Sequence, residues 1–343
     1  MKTFYGLFVA RTKEFIRDRG SLGWTFLFPF IVIAGFAFGY KGNSQTLFKV
    51  DLLQATNDSP LVSGILDSLK KTQYIQFIDT DNLESAVKKV RMHQIDLLIK
   101  GGDKLSYWVN PDSSKGRLVE TLLLASNAHP EMPGVIVKQA VPGREIRYVE
   151  WLIPGILAMN MMFSSLFGVG YTIVRYRKNG VLKRLKATPV TAFQFLAAQL
   201  FSRLILIMLT SFIVFFGSIF LVGFKMQGSY VALFTYLAVG AGCMISLGLI
   251  FASRIASEEL AEGLLNLLTW PMMFLSGIWF SLEGASPAIV QLSKIFPITY
   301  IVSGARQIML EGATLSSLTA QMGILAGMGL LFLAVGSLLF KWN

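Results

Sequence analysis

Glu258, Glu259 and Glu262 place three carboxylates at helical spacing, an arrangement that can hold a cation or open a helix. Ser257 stands directly before them, and a serine cap followed by early acids satisfies free amides and complements the helix dipole. A solvated helix start is therefore the stronger reading. The only histidines are His93 and His129, and the single cysteine, Cys243, falls in an apolar run. So few ligands give no expectation of a metal site, and one cysteine makes no intrachain disulfide. Paired acid and base groups are also scarce within the apolar segments, which argues against an intramembrane enzyme. No Gly-Lys pair occurs, so the chain lacks a phosphate-cradling loop of the Walker type and is not expected to hydrolyse ATP.

The remaining chemistry is that of charge beside apolar spans. Over 343 residues, 53% are hydrophobic and 15% charged, with a mean hydropathy of +0.57. That is too apolar for an ordinary soluble domain. The net charge of +11 is concentrated in two short segments. Residues 1–20 carry five bases against two acids, and residues 175–186 carry six bases and no acid. Basic segments flanking apolar runs are the positive-inside signature of membrane topology, not a nucleic-acid groove, and no nucleic-acid partner is expected.

The elements that must position these charges follow in order. Residues 1–21 alternate charged residues with Phe4, Leu7, Phe8, Phe15 and Ile16. They predict an amphipathic helix on the inner membrane surface, not a cleaved signal. Residues 22–40 predict a first span, anchored by Trp24 and kinked at Pro29. Residues 41–148 have the composition of a soluble domain. Strands are expected at 50–54, 74–78, 94–100 and 105–109 and helices at 82–92 and 115–127, giving a small extracytoplasmic α/β domain. Five further spans are expected within residues 149–343, at 151–174, 203–224, 230–252, 260–280 and 319–340. Between the last two, residues 281–318 are broken by Pro287 and Pro297 and are too short in each piece to cross, which predicts a re-entrant outer segment. Both termini then lie in the cytosol. The fold class expected is an all-α polytopic membrane protein of six transmembrane helices with an α/β extracytoplasmic domain.

Three segments carry a family resemblance. Arg175-Tyr-Arg-Lys-Asn-Gly-Val-Leu-Lys-Arg-Leu-Lys-Ala-Thr-Pro-Val190 resembles the cytosolic loop of type-2 ABC exporter permeases. Phe274-Leu-Ser-Gly-Ile-Trp-Phe280, followed by Phe296-Pro-Ile-Thr-Tyr300 and Arg306, resembles that family's Ser-Gly-Ile and Asn-Pro-Leu-Thr-Tyr segments. The Pro154-Gly155 start of the second span is a third likeness. The chain departs from the pattern in an all-basic loop opening, in Val181 where threonine is usual, and in Phe296 where asparagine is common.

The resemblance implies a permease that moves a drug, lipid, glycan or cation out across the cytoplasmic (inner) membrane of a bacterium. It implies cytosolic ABC ATPase subunits that bind ATP and Mg, no cofactor in this chain, and a second permease subunit, identical or related. Membrane lipid surrounds the spans, and residues 41–148 offer a surface for a periplasmic partner. The loop 175–190 would couple to the ATPase through Gly180, Leu182, Lys183, Arg184, Leu185, Thr188 and Pro189. Leu182 and Leu185 share one helical face that can seat in a partner's groove, with Gly180 and Pro189 setting its ends. Met159, Met162 and Phe163 can line a hydrophobic path, while Ser276, Gly277, Pro297, Thr299 and Tyr300 are the residues of a re-entrant gate. Lipid-facing packing is the default account of those methionines and of Phe163. Gly168 and Gly170 are expected to serve close helix packing. Arg203, expected near the inner end of the third span, is expected to snorkel. A membrane-anchored receptor or assembly protein without transport, or an intramembrane enzyme, is the alternative.

Overall fold

The computed structural model describes residues 2–39, 48–53, 75–80, 82–101, 105–126, 136–140, 146–255, 257–282 and 285–340, with isolated positions between 64 and 72. Tyr40, His129 and Lys341, and the expected element ends at Gln54, Tyr74 and Asn127, lie outside the described residues. The chain divides into two compact units, one of residues 1–40 and 148–343 and the other of residues 41–147.

The first unit opens with helices α1 (Lys2–Arg17) and α2 (Arg19–Gly39), the latter with Pro29 inside it. The second unit follows with strands β1 (Phe48–Leu53) and β2 (Ile75–Asp79), helix α3 (Leu83–Arg91), strands β3 (Leu97–Lys100) and β4 (Leu105–Val109), helix α4 (Ser114–Ser126) and strand β5 (Ile136–Ala140). The sheet order is β2-β1-β3-β4-β5, with only the β3–β4 pair antiparallel. Alternating side chains divide the core between the faces. Leu97, Ile99, Tyr107 and Val109 pack with Val119 and Leu123 of α4. Leu98 and Trp108 pack with Ala86 and Val90 of α3. Asn82 starts α3 by accepting from the Glu84 and Ser85 amides at 2.9 and 3.3 Å. Strand β5 lies outside the set expected from sequence.

The first unit resumes with α5, a single long helix over Tyr148–Lys178 that passes through a π-helical segment at Leu166–Tyr171. Next come α6 (Val181–Lys186), α7 (Ala192–Val222), α8 (Tyr230–Arg254), α9 (Glu258–Leu275), α10 (Pro287–Ser293), α11 (Pro297–Glu311) and α12 (Thr319–Leu339). The described chain is mostly helical and polytopic. Among the described residues four helices are long and apolar enough to cross a membrane: α5, α7, α8 and the segment Leu315–Leu339 that contains α12. The count reaches six if the bent pairs α1/α2 and α10/α11 are each one span. The α10/α11 pair turns through 94°, each helix starting on a proline at its first turn.

Two expected boundaries change. Helix α7 begins eleven residues before Arg203, because Thr191 and Gln194 form a reciprocal capping box. Arg203 thus lies about 16 Å along the helix axis from its start, well inside the apolar stretch. Helix α9 ends at Leu275 and not at Phe280, because the chain turns at Gly277, whose φ of 74° is left-handed. Three glutamates in its first five residues also make α9 the most acidic of the expected spans.

Candidate functional site

Helix α5 is the most enclosed of the long helices, with Leu152 through Met162 all buried. At its start it is tied to the turn after α9. Tyr148 donates from Oη to the Trp279 carbonyl at 2.7 Å. Arg306 of α11 lies 3.7 Å above the Trp151 ring and donates from Nη2 to the Gly277 carbonyl at 3.0 Å. Thr299 donates to the Ser293 carbonyl at 2.6 Å and so holds the α10/α11 bend. The Tyr300 carbonyl accepts from Tyr236 of α8 at 2.8 Å. Ser276, Gly277 and Pro297 are buried beside these contacts.

Farther along α5 a cavity of about 740 Å³ opens between this helix, α1, α2, α7 and α9. Met159, Phe163 and Phe167 line it from α5, Trp24 and Phe28 from α2, and Trp270 and Met273 from α9. Trp279, from the turn after α9, also reaches it. Met162 is fully buried and is not part of the lining.

One corner of the cavity is polar. Arg11 of α1 donates from Nη1 to Glu14 at 2.9 Å and from Nη2 to the Gly168 carbonyl and Thr172 Oγ1 at 2.8 and 2.9 Å. Arg175 donates to the other Glu14 oxygen at 2.9 Å, and the Tyr176 hydroxyl also donates to Glu14. Burial pushes the Glu14 carboxyl up, but the Tyr176 hydrogen bond and the Arg11 and Arg175 guanidiniums together hold it below the usual carboxylate value. Arg203 reaches the same corner and is only 6% exposed. It donates from Nε to the Ser164 carbonyl at 2.6 Å and from Nη2 to Ser164 Oγ at 3.1 Å. Its guanidinium lies 5.2 Å from the Phe15 ring centroid. The expected snorkelling is therefore corrected: Arg203 packs inward on α5 because its span starts earlier and Ser164 supplies acceptors. Gly168 makes the room, since a Cβ there would lie 1.8 Å from Arg203 Nη2. This glycine falls in the π-helical segment, a local widening common at functional sites.

Past the cavity, α5 runs into the basic loop. Arg177 donates to the carbonyls of Ala252 and Ser253 at 2.9 Å each, and to that of Ile255, so it caps the end of α8. Lys178 lies 3.7 and 3.9 Å from Glu258 and Glu259, and Tyr171 donates to Glu258 at 2.8 Å. Glu258 thus joins α5 to the start of α9, where Ser257 caps as expected. No group of three His, Cys, Asp or Glu side chains placed to hold a metal ion occurs among the described residues.

Gly180, at φ 66°, reverses the chain into α6. Leu182 is fully buried within its own unit, and Leu185 is half-buried. Of the expected partner-facing leucines, Leu182 is thus held inside its own unit, while Lys183, Arg184, Lys186, Thr188 and Pro189 are exposed. The residues named from sequence in this loop therefore divide into buried Leu182, half-buried Leu185 and an exposed, mostly basic surface. Sequence reasoning missed Arg11, Glu14 and Arg177 as site residues. Apart from the Arg11–Glu14 pair, three residues apart, their partners lie 75 to 165 residues away, so no local signal joins them.

Comparison with known proteins adds to this geometry. The family described as ABC-2 family transporter protein matches residues 19–338. The probable multidrug ABC transporter permease YbhS of Escherichia coli is 22% identical over 344 residues, covering 89% of this chain and 88% of that protein. The inner membrane transport permease YhhJ of the same organism is 25% identical over 191 residues, covering 54% and 51%. The probable multidrug ABC transporter permease YbhR is 22% identical over 168 residues, covering 49% and 46%.

Proposed function

The chain belongs to the ABC-2 transporter family and is a permease subunit of an ABC exporter, and on that premise we propose how it is arranged and coupled. Six spans cross the membrane: α2, α5, α7, α8, α9 and α12. Helix α1 lies on the inner surface, α10 and α11 form the re-entrant segment, and residues 41–148 face the outside. Both termini and the loop 175–190 are cytosolic, in the inner membrane of a bacterium. Two permease subunits, identical or related, stand over two ATPase subunits that bind ATP and Mg, and the substrate leaves through the cavity beside Met159 and Phe163.

One observation carries this reading. A single helix, α5, holds the Tyr148–Trp279 contact at one end, lines the cavity in its middle and becomes the basic loop at the other. A displacement of the loop is therefore a displacement of the cavity wall. ATP binding closes the ATPase pair, the loops follow through their outer basic face, and the gate built on Ser276, Gly277, Pro297, Thr299 and Tyr300 changes state. The partner biases this equilibrium only so far as it binds the two states differently. The relatives named as multidrug permeases put drugs first among candidate substrates, with lipids, glycans and cations as the other classes.

The test is purification of the chain with its ATPase and reconstitution into liposomes with a panel of those four classes. ATP-dependent export of at least one class is expected. A chain that recovers no cassette ATPase and moves none of the panel would be an anchor or receptor and not a transporter.

A further inference from the structure

Arg203 is a charged side chain inside an apolar span whose protein partners are both neutral. Its hydrogen bonds end on Ser164, and among the described residues no acceptor engages Nη1. Arg11, of the same sign, lines the same corner. Arg11 and Arg175 in the same corner differ, because both are bonded to Glu14. Ionisable groups within spans are expensive and are retained at ligand or ion pathways. A buried guanidinium is also the side chain best matched to a planar acid or a phosphate.

The rest of the wall completes the specification. Away from the polar corner the cavity is lined by Trp24, Phe28, Phe163, Trp270 and Met273. Trp24 and Trp270 are 65% and 53% exposed, so the cavity is open along a side that faces away from the helix bundle. A corner in which Arg11, Arg175 and Arg203 outnumber Glu14 and Asp18, joined to a long aromatic wall, fits a molecule with an acidic head and an apolar body.

We propose that this cavity binds an amphipathic anion, with its carboxylate or phosphate on the free edge of Arg203 and its apolar body along the aromatic wall. The inference rests on the reading of the cavity as the substrate path and supplies the ligand's charge and shape. The same chemistry comes from two sources, a single-chain amphiphile taken as cargo or an anionic lipid entering sideways from the bilayer.

Tryptophan quenching by brominated probes tests it, since Trp24, Trp270 and Trp279 line the cavity. The full chain, in phosphatidylcholine nanodiscs, is titrated with dibromostearate, with the trimethylammonium analogue of the same chain length, and with dibromo-acyl phosphatidylglycerol. Dibromostearate should quench saturably, and the ammonium analogue should show only non-saturable partitioning. Arg203→Gln should weaken the saturable component at least about tenfold, the loss of one charge-assisted contact, and Arg203→Lys should retain part of it. Saturation by the phosphatidylglycerol probe too would place the source in the bilayer; its failure beside dibromostearate would indicate single-chain cargo. Equal saturation by the ammonium analogue, or an unchanged Arg203→Gln variant, overturns the anion assignment and leaves the path intact. Saturable quenching by none of the probes also overturns the anion assignment, while the path itself is decided by the liposome export panel. The anion-to-cation contrast is read on the unmodified chain, so it stands even if the variants do not fold.

Discussion

Arg177 and Arg203 both end on backbone carbonyls, yet they sit in regions with different tasks. Arg177 is bonded to three carbonyls at the end of α8, which ties the loop to that helix end. Arg203 hydrogen-bonds to a single residue, Ser164, lies against the Phe15 ring and borders the cavity. On the proposed reading, a guanidinium committed to a helix end is a mechanical joint, whereas one with an open edge beside a cavity is a receptor. The contrast separates transmission from recognition along α5, and it can be broken at either end.

The largest effect is expected at the joint. Arg177→Leu leaves three carbonyls without their donor, at about 1–3 kcal/mol each when buried, and should lower ATP-driven export by at least about tenfold while membrane insertion persists. Vesicle transport and cell fractionation measure the two. Next, Leu182→Asp puts a carboxylate where the loop is fully buried and should lower the melting temperature of the purified chain by several degrees. An unchanged melting temperature would return Leu182 to the partner-facing surface.

At the receptor end, Gly168→Ala forces the Arg203 guanidinium aside and should weaken dibromostearate quenching about fivefold, with little effect on recovery of the ATPase. The outer loop surface should behave in the opposite way. Lys183→Glu with Arg184→Glu reverses two exposed charges and should reduce ATPase co-purification about fivefold, more at low salt than at high, without touching the quenching. The smallest effect concerns Glu14. Its carboxyl is held below the ordinary value, so the stability it contributes is present above the unfolded-state pKa and is lost as pH falls through the folded one. The melting-temperature difference between the wild type and Glu14→Gln should therefore be visible at pH 7 and shrink below pH 4.5.

Much of this arrangement is legible in the sequence, because apolar length and proline placement are local signals. The turns at Pro287 and Pro297 and the cap at Ser257 need no knowledge of distant residues. The polar corner is not local: Arg11 meets Glu14 three residues away, but meets Thr172 and Gly168 only after the helices assemble. From sequence Arg203 reads as a membrane edge, because a charge in an apolar run marks a boundary, and nothing nearby announces that Ser164 will receive it. Leu182 illustrates a related limit. An amphipathic loop helix must bury its leucine face, but spacing alone does not say whether the cover is a partner or the chain's own helices.

The most direct measurement is the accessibility of the cavity wall in the two nucleotide states. Phe163→Cys, in a chain whose buried Cys243 is replaced by alanine, is assembled with its ATPase in oriented vesicles and exposed to a membrane-impermeant maleimide. Labelling should come from the cytosolic side without nucleotide and from the outer side once ATP is trapped with vanadate. Labelling from one side in both states would contradict the account, because the wall that α5 carries would then not move with the loop.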